Sequence, residues 1–375
     1  MISILIFVEL RVVVQWMKTA SVLASVGTAL LALSGGALAQ QIDITDHEGR
    51  PVHLDAPAQR IVTIPMPMAS GVIALDGGTS KLVGMNPLSL TAIREGILGR
   101  IFPAAANITD SVTGTDFMPN VEALAAANPD LVIQWGGRGN DIVDPITNAG
   151  LNALLIKYGT EELTRQYMTM VATAIGKPER IGPLVEWRDK VEKEIEAKTA
   201  GLAAADRPSV LYLGNALSSI TASGDKGNYN AFYINMVGAR SASAGLSGSA
   251  AINKEQIAEW NPDIILLNAF EPQLDVNWVY DDPILSLTKA AQNHRVYKMP
   301  LGGYRWDPPN QESPLGWMWL ADLVHPELFN FDLRGEMKTA YQTLYNYQLT
   351  DADIDGILWM DKQGTATGYD RFKAK

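Results

Sequence analysis

The residues best equipped to hold a small molecule lie in one short run, Gly302-Gly303-Tyr304-Arg305-Trp306-Asp307. Two glycines let the backbone turn tightly. Behind them come an aromatic ring, a guanidinium and a second aromatic ring. A guanidinium is a planar fork of donors that matches carboxylate, phosphate or catecholate oxygens, and the rings supply flat contact area. Trp135-Gly136-Gly137-Arg138 repeats that chemistry elsewhere in the chain. Met66 and Met68, within Pro65-Met66-Pro67-Met68, together with Phe117, Asn215 and Phe270, complete the expected ligand-binding set of Tyr304, Arg305, Trp306, Trp135 and Arg138. If Arg305 clamps an anion, its truncation weakens binding by about 1.5–3 kcal/mol and leaves the fold intact.

Catalytic signatures are missing. Gly245-Leu246-Ser247-Gly248 stops one residue short of a nucleophile elbow, and neither H-E-x-x-H nor a P-loop occurs. Asp116, Glu271 and Asp307 supply carboxylates without the spacing of an acid/base pair, so an exported hydrolase is the weaker alternative. The chain has no cysteine and four histidines (His47, His53, His294, His325), none at metal-ligand spacing. No protein-held metal or cofactor is expected; a metal would arrive inside a chelate. Haem would need a cleft-facing His or Tyr, for which Tyr304 is the candidate. A net charge of −11 excludes a nucleic-acid face.

The elements that must position these residues announce themselves by repetition. Residues 121–135 (VEALAAANPDLVIQW) recur as 254–268 (KEQIAEWNPDIILLN), each a short helix that ends at Asn-Pro-Asp and runs into an apolar strand. The spacing is far longer than a solenoid period. It implies two similar α/β lobes with mainly parallel sheets and a cleft between them. Between the copies, Ile181, Leu184, Val185, Val191 and Ile195 recur at helical spacing behind Pro178, with Glu186, Arg188, Lys190, Glu192, Lys193, Glu194 and Glu196 reading as a solvated face. A long helix there is a rigid strut. The expected layout is residues 40–177 for the first lobe, 178–203 for the linking helix and 204–375 for the second lobe, closed by a helix over 332–345. Residues 1–39 read as a secretory signal: Met17-Lys18, an apolar run over 20–33, and Ala37-Leu38-Ala39 before Gln40, with 1–16 an upstream misassigned start. The compartment expected is the periplasm.

Several short motifs carry a family resemblance. Asp46-x-x-Gly49-Arg50-Pro51-Val52, Pro57-x-x-Arg60-Ile61-Val62, Leu75-Asp76-Gly77-Gly78, Asn128-Pro129-Asp130-Leu131-Val132-Ile133 and Asp282-Pro283-x-Leu285 with His294-Arg295-Val296-Tyr297 appear in order. In these the chain resembles the periplasmic substrate-binding proteins of the iron-complex (siderophore) and vitamin B12 ABC transporters, over nearly all of its length past residue 39. The resemblance implies two Rossmann-like lobes joined by one long rigid helix, a monomer that passes its solute to an inner-membrane permease dimer with its ATPase. An anionic ferric siderophore-like chelate is the solute expected; a corrinoid, haem or a small oxoanion such as molybdate are the alternatives. The family places a Glu on the first helix of each lobe to dock the permease. Here those stretches read Ala69-Ser70-Gly71-Val72-Ile73-Ala74 and Asn230-Ala231-Phe232-Tyr233-Ile234-Asn235, which leaves Asp76 as the acid of the first lobe.

Overall fold

The structure is a computed structural model that describes residues 41–374. The signal segment expected over 1–39 lies outside the described residues. In the first lobe the hairpin β1 (Ile42–Thr45) and β2 (Pro51–Leu54) precedes β3 (Ile61–Thr63), α1 (Met68–Asp76), β4 (Leu82–Met85), α2 (Pro87–Glu95), α3 (Leu98–Ile101), α4 (Val121–Ala127), β5 (Leu131–Trp135), α5 (Asp144–Asn148), β6 (Ala153–Ile156) and α6 (Glu161–Ala174). The linking helix α7 (Ile181–Thr199) follows. The second lobe holds β7 (Ser209–Leu213), β8 (Thr221–Ser223), α8 (Tyr229–Met236), β9 (Arg240–Ser241), β10 (Ser249–Ala251), α9 (Lys254–Trp260), β11 (Ile264–Leu267), α10 (Asn277–Tyr280), α11 (Lys289–Gln292), β12 (Val296–Lys298) and α12 (Ser313–Val324). Beyond the expected C-terminal helix, α13 (Leu333–Tyr345), come α14 (Asp351–Ile357) and α15 (Met360–Gln363), so the chain does not close at 345. Among the described residues no helix is long and apolar enough to cross a membrane.

Each lobe is built on a four-stranded parallel sheet, in order β4-β3-β5-β6 and β12-β11-β7-β9. The inner strands β5, β7 and β11 are buried along their whole length and mostly apolar, as sheets covered by helices on two sides require. The repeated Asn-Pro-Asp explains how the sheets start. Asn128 and Asn261 both adopt φ 44°, the left-handed conformation that ends a helix and that Asn tolerates. The proline then forbids another helical turn. The aspartate reaches sideways: Asp130 accepts bonds from the amides of Gln59 (2.7 Å) and Arg60 (3.0 Å), and Asp263 from that of Ser209 (2.8 Å). Each copy therefore pins the entry of the neighbouring strand, β3 or β7, while launching its own, β5 or β11.

The strut α7 begins at Ile181, with Gly182 and Pro183 in its first turn, where backbone amides have no helical partner to lose. Its buried residues are Leu184, Arg188, Val191, Ile195 and Thr199. Arg188 is therefore no part of the solvated face; it is fully buried. Its guanidinium makes two 2.6 Å bonds to Glu161 on α6, donates to the Asn310 carbonyl (2.8 Å) and lies 5.0 Å from the ring centroid of Trp317 on α12. Burial works against its charge, but Glu161 more than compensates and its pKa rises above the ordinary arginine value. Asp76, the expected docking acid, is 2.7 Å from Lys81 Nζ with its side chain almost fully covered, so it is consumed by that pair.

Removing one partner of such a buried pair strands a charge, which costs about 3–5 kcal/mol. Glu161→Ala is expected to lose that much in urea unfolding, whereas the double variant Glu161→Met/Arg188→Met recovers most of it.

Candidate functional site

A cavity of about 170 Å³ lies between the lobes, lined by Met66, Pro67, Trp135, Arg138, Tyr158, Tyr212, Asn230, Phe270, Asp307 and Pro308. Most of these residues sit at or just past the carboxyl ends of parallel strands: Met66 after β3, Trp135 and Arg138 at and after β5, Tyr158 after β6, Phe270 after β11. Open α/β sheets hold ligands at that edge. A larger groove of about 420 Å³ runs between α1, α7 and α13. It is mostly apolar, and its one arginine, Arg180, is spent on the carbonyls of Ala74 and Thr343, so it gathers no converging polar groups. The smaller cavity is where the chemistry collects.

Its cationic wall is Arg138. The guanidinium carbon lies 4.8 Å from the ring centroids of both Phe117 and Trp135, and among the described residues it has no hydrogen-bond or ion-pair partner. The rings orient the fork and leave its donors unspent. Trp135 is itself held edge-on between Phe117 and Tyr158, at 6.2 and 5.8 Å. Phe117 adopts φ 68°, rare for a bulky residue, and buried Gln134 secures it by donating to its carbonyl (3.1 Å) and to that of Ile142 (3.0 Å). The indole N–H of Trp135 is buried without an acceptor among the described residues.

The opposite wall carries Asp307, 1% exposed. Oδ2 accepts from the Tyr212 hydroxyl and the Ala269 amide, both at 2.9 Å, while Oδ1 has no partner among the described residues. Burial pushes its pKa up to about 6 against the pull of those bonds. Asn230, in the first turn of α8, donates to the Asp307 carbonyl (3.2 Å) and to the Tyr233 hydroxyl (2.6 Å).

Of the ten residues expected to bind, Met66, Trp135, Arg138 and Phe270 line this cavity, and Phe117 backs it. The run at 304–306 is placed differently. Arg305 is fully buried; it donates to the carbonyls of Ala269 (2.9 Å) and Leu88 (3.1 Å) and sits 3.7 Å from Glu95. Its fork is occupied by protein, so truncation to alanine would cost fold stability, contrary to the expectation from sequence. Trp306 turns inward and donates to Glu312 (2.9 Å), a buried carboxylate that also accepts from Tyr341 and Tyr345. Tyr304 is fully buried, its hydroxyl unpaired and pushed up to about 12 by burial. Met68 is core in α1, and Asn215 lies on an exposed turn, donating to Thr221 (3.3 Å). Tyr158, Tyr212 and Asn230 were not expected at the site, and Asp307 was expected only as the end of the 302–307 run. The available signal was position, since a tyrosine interrupts the apolar run 210–213 of β7 and another stands two residues past the end of β6.

The pKa of Asp307 has a measurable consequence. The folded state holds the proton more tightly than the unfolded chain, whose carboxyl titrates near 3.8. Stability from this group is therefore full below about pH 4, declines as pH rises toward 6, and is level above that. Asp322, also pushed up to about 6 by burial, adds in the same sense. Asp307→Asn keeps the acceptor and removes the titration. We expect it to exceed wild type in unfolding free energy by up to about 3 kcal/mol at pH 7, a gap that shrinks toward pH 4.

Comparison with known proteins agrees with this layout. Residues 98–301 match the periplasmic binding protein family. The crystal structure of a periplasmic solute binding protein from Veillonella parvula superposes with a TM-score of 0.78 at 32% identity, covering 87% of this chain and 99% of that one. The molybdate-binding protein MolA of Haemophilus influenzae is 24% identical over 352 residues, 88% of this chain and 97% of that one. The Fe(3+)-citrate-binding protein YfmC of Bacillus subtilis is 23% identical over 193 residues, 51% of this chain and 60% of its own length.

Proposed function

The chain belongs to the periplasmic binding protein family, and we propose that the solute it carries is a small oxoanion, with molybdate as the first to test. The protein is a solute-binding component of an ABC importer, not an enzyme. Its working partners are accordingly a membrane permease and ATPase. The observation that carries the oxoanion reading is Arg138: a guanidinium on the cavity wall, aimed by two aromatic rings and unpaired with any described protein group. An anion there gains a fork of charge-assisted bonds without displacing an existing partner.

Size favours the same reading. Sites for drug-sized ligands span about 300–1,000 Å³, and this cavity has about 170 Å³. A ferric siderophore, a corrinoid or haem exceeds it several-fold; a tetrahedral oxoanion fits with room for water. The molybdate-binding relative, matched over 97% of its length, supports this choice. Asp307 sets a condition. Ionised, it repels an anion; protonated, it can donate to one, so affinity should fall as pH rises through about 6.

Thermal denaturation with sodium molybdate, sodium tungstate, sodium sulfate, ferric citrate and haemin tests the reading. Molybdate and tungstate should raise the midpoint, by about 2.7 kcal/mol of stabilisation at a hundredfold excess over Kd. A rise with ferric citrate or haemin and none with the oxoanions overturns it. Arg138→Gln is expected to weaken molybdate binding by about 1.5–3 kcal/mol, roughly 10- to 150-fold, in calorimetric titration. Because Arg138 makes no hydrogen bond or ion pair among the described residues and contacts only the Phe117 and Trp135 rings, the ligand-free midpoint should move little.

A further inference from the structure

The loop that follows β12 reaches directly across to the first lobe. Arg305 holds the second lobe through the Ala269 carbonyl (2.9 Å) and the face of Phe270 (4.7 Å), which is cavity wall. From there it donates to the Leu88 carbonyl on α2 (3.1 Å) and approaches Glu95 at the end of that helix. α2 in turn carries the opposite wall, because the Ser89 hydroxyl donates to the carbonyl of Met66. Just past α2 the backbones nearly touch: a Cβ on Gly96 would lie 2.7 Å from the Gly302 carbonyl oxygen. Arg100 on α3, itself exposed, adds a 2.6 Å bond to the buried Asp353 on α14.

We propose that Arg305 is a latch, and that the seam between residues 87–101 and the 301–305 loop is where the lobes part to admit and release solute. The energetics of the contacts divide that way. Around α7 the lobes are joined by the buried Arg188–Glu161 pair and by Arg180, which bridges Ala74 to Thr343. Breaking the Arg188–Glu161 pair strands charge in the interior. Parting the seam frees a partly exposed carbonyl, a partly exposed carboxylate and the exposed Arg100, which water can satisfy, while the buried Asp353 keeps the bonds it accepts from Thr350 and Tyr347. Arg305 meanwhile keeps Ala269 and the Phe270 ring, so opening leaves no orphaned charge. Solute identity does not enter, so the inference goes beyond the oxoanion reading and stands or falls apart from it.

The absence of cysteine makes the test direct. Glu122→Cys on α4 and Glu255→Cys on α9, both exposed, place one spin label on each lobe. Electron–electron resonance distances are then measured on ligand-free protein, with and without R305K, which keeps the charge but loses the fork. Loss of one charge-assisted bond should raise the ratio of open to closed molecules roughly tenfold, seen as a longer-distance population. Distances in R305K that coincide with those of its parent overturn the latch. If R305K does not fold, Glu95→Gln with Arg100→Gln removes the exposed partners instead and must give the same lengthening.

Discussion

A guanidinium sealed inside a protein is tolerable only when its surroundings are fixed, and Arg188 imposes that condition on this molecule. Its partner Glu161 stands in the first turn of α6, where the helix amides favour an anion. The Asn310 carbonyl and the Trp317 ring come from the second lobe. One charge therefore binds first lobe, strut and second lobe at a single point, with the whole cost of burial as the penalty for loosening any of them. Arg165 extends the network toward solvent, bonding Glu161, Asp189 and Glu192 along the flank of α7. Relative motion of the lobes is thereby pushed away from the strut and toward the cavity side, where the joining contacts are smaller and wetter.

That division gives the arginines distinct tasks. Arg188 and Arg305 have their donors filled by protein, and so serve geometry. Arg138 has its orientation set by π faces that leave its donors free, and so serves recognition. Sequence offers no direct way to separate Arg305 from Arg138, because each reads as an arginine among aromatics, while Arg188 reads as one charge in a charged run. What separates them is whether a carboxylate or carbonyl arrives within reach from another part of the chain, a property of tertiary structure.

The fold was legible because its determinants are local. Asn for the left-handed cap, Pro to end the helix and Asp to grip the next strand are adjacent in sequence and occur twice, so both sheets could be anticipated. The loops at strand ends were also identifiable, and four expected residues reach the cavity from them. Arg188 was misread because charge was weighed above register: 184, 188, 191 and 195 form one stripe of α7, and the arginine falls on it. The run at 304–306 was misread for a related reason. Its two glycines are needed because side chains there would collide with Glu312, Tyr341 and Tyr345, so the loop is pressed against α13 instead of opening onto the cavity. Nothing within six residues of Gly303 announces that Tyr341 and Tyr345 will be its neighbours.

The duplicated scaffold then explains where recognition can change without risk to the fold. After β11 the chain continues Ala269-Phe270-Glu271, and Glu271 is committed: its oxygens accept from the amides of Ala216 and Leu217 and from Asn268. After β5 it continues Gly136-Gly137-Arg138, where φ 73° at Gly137 turns the backbone and the arginine that follows rests on two rings without a hydrogen bond among the described residues. Equivalent positions in two similar lobes thus carry opposite obligations, one acid locking a loop and one base left open. A change of solute charge can be met at 138 alone, since no structural bond has to be rebuilt there. The same change at 271 would first have to replace three hydrogen bonds.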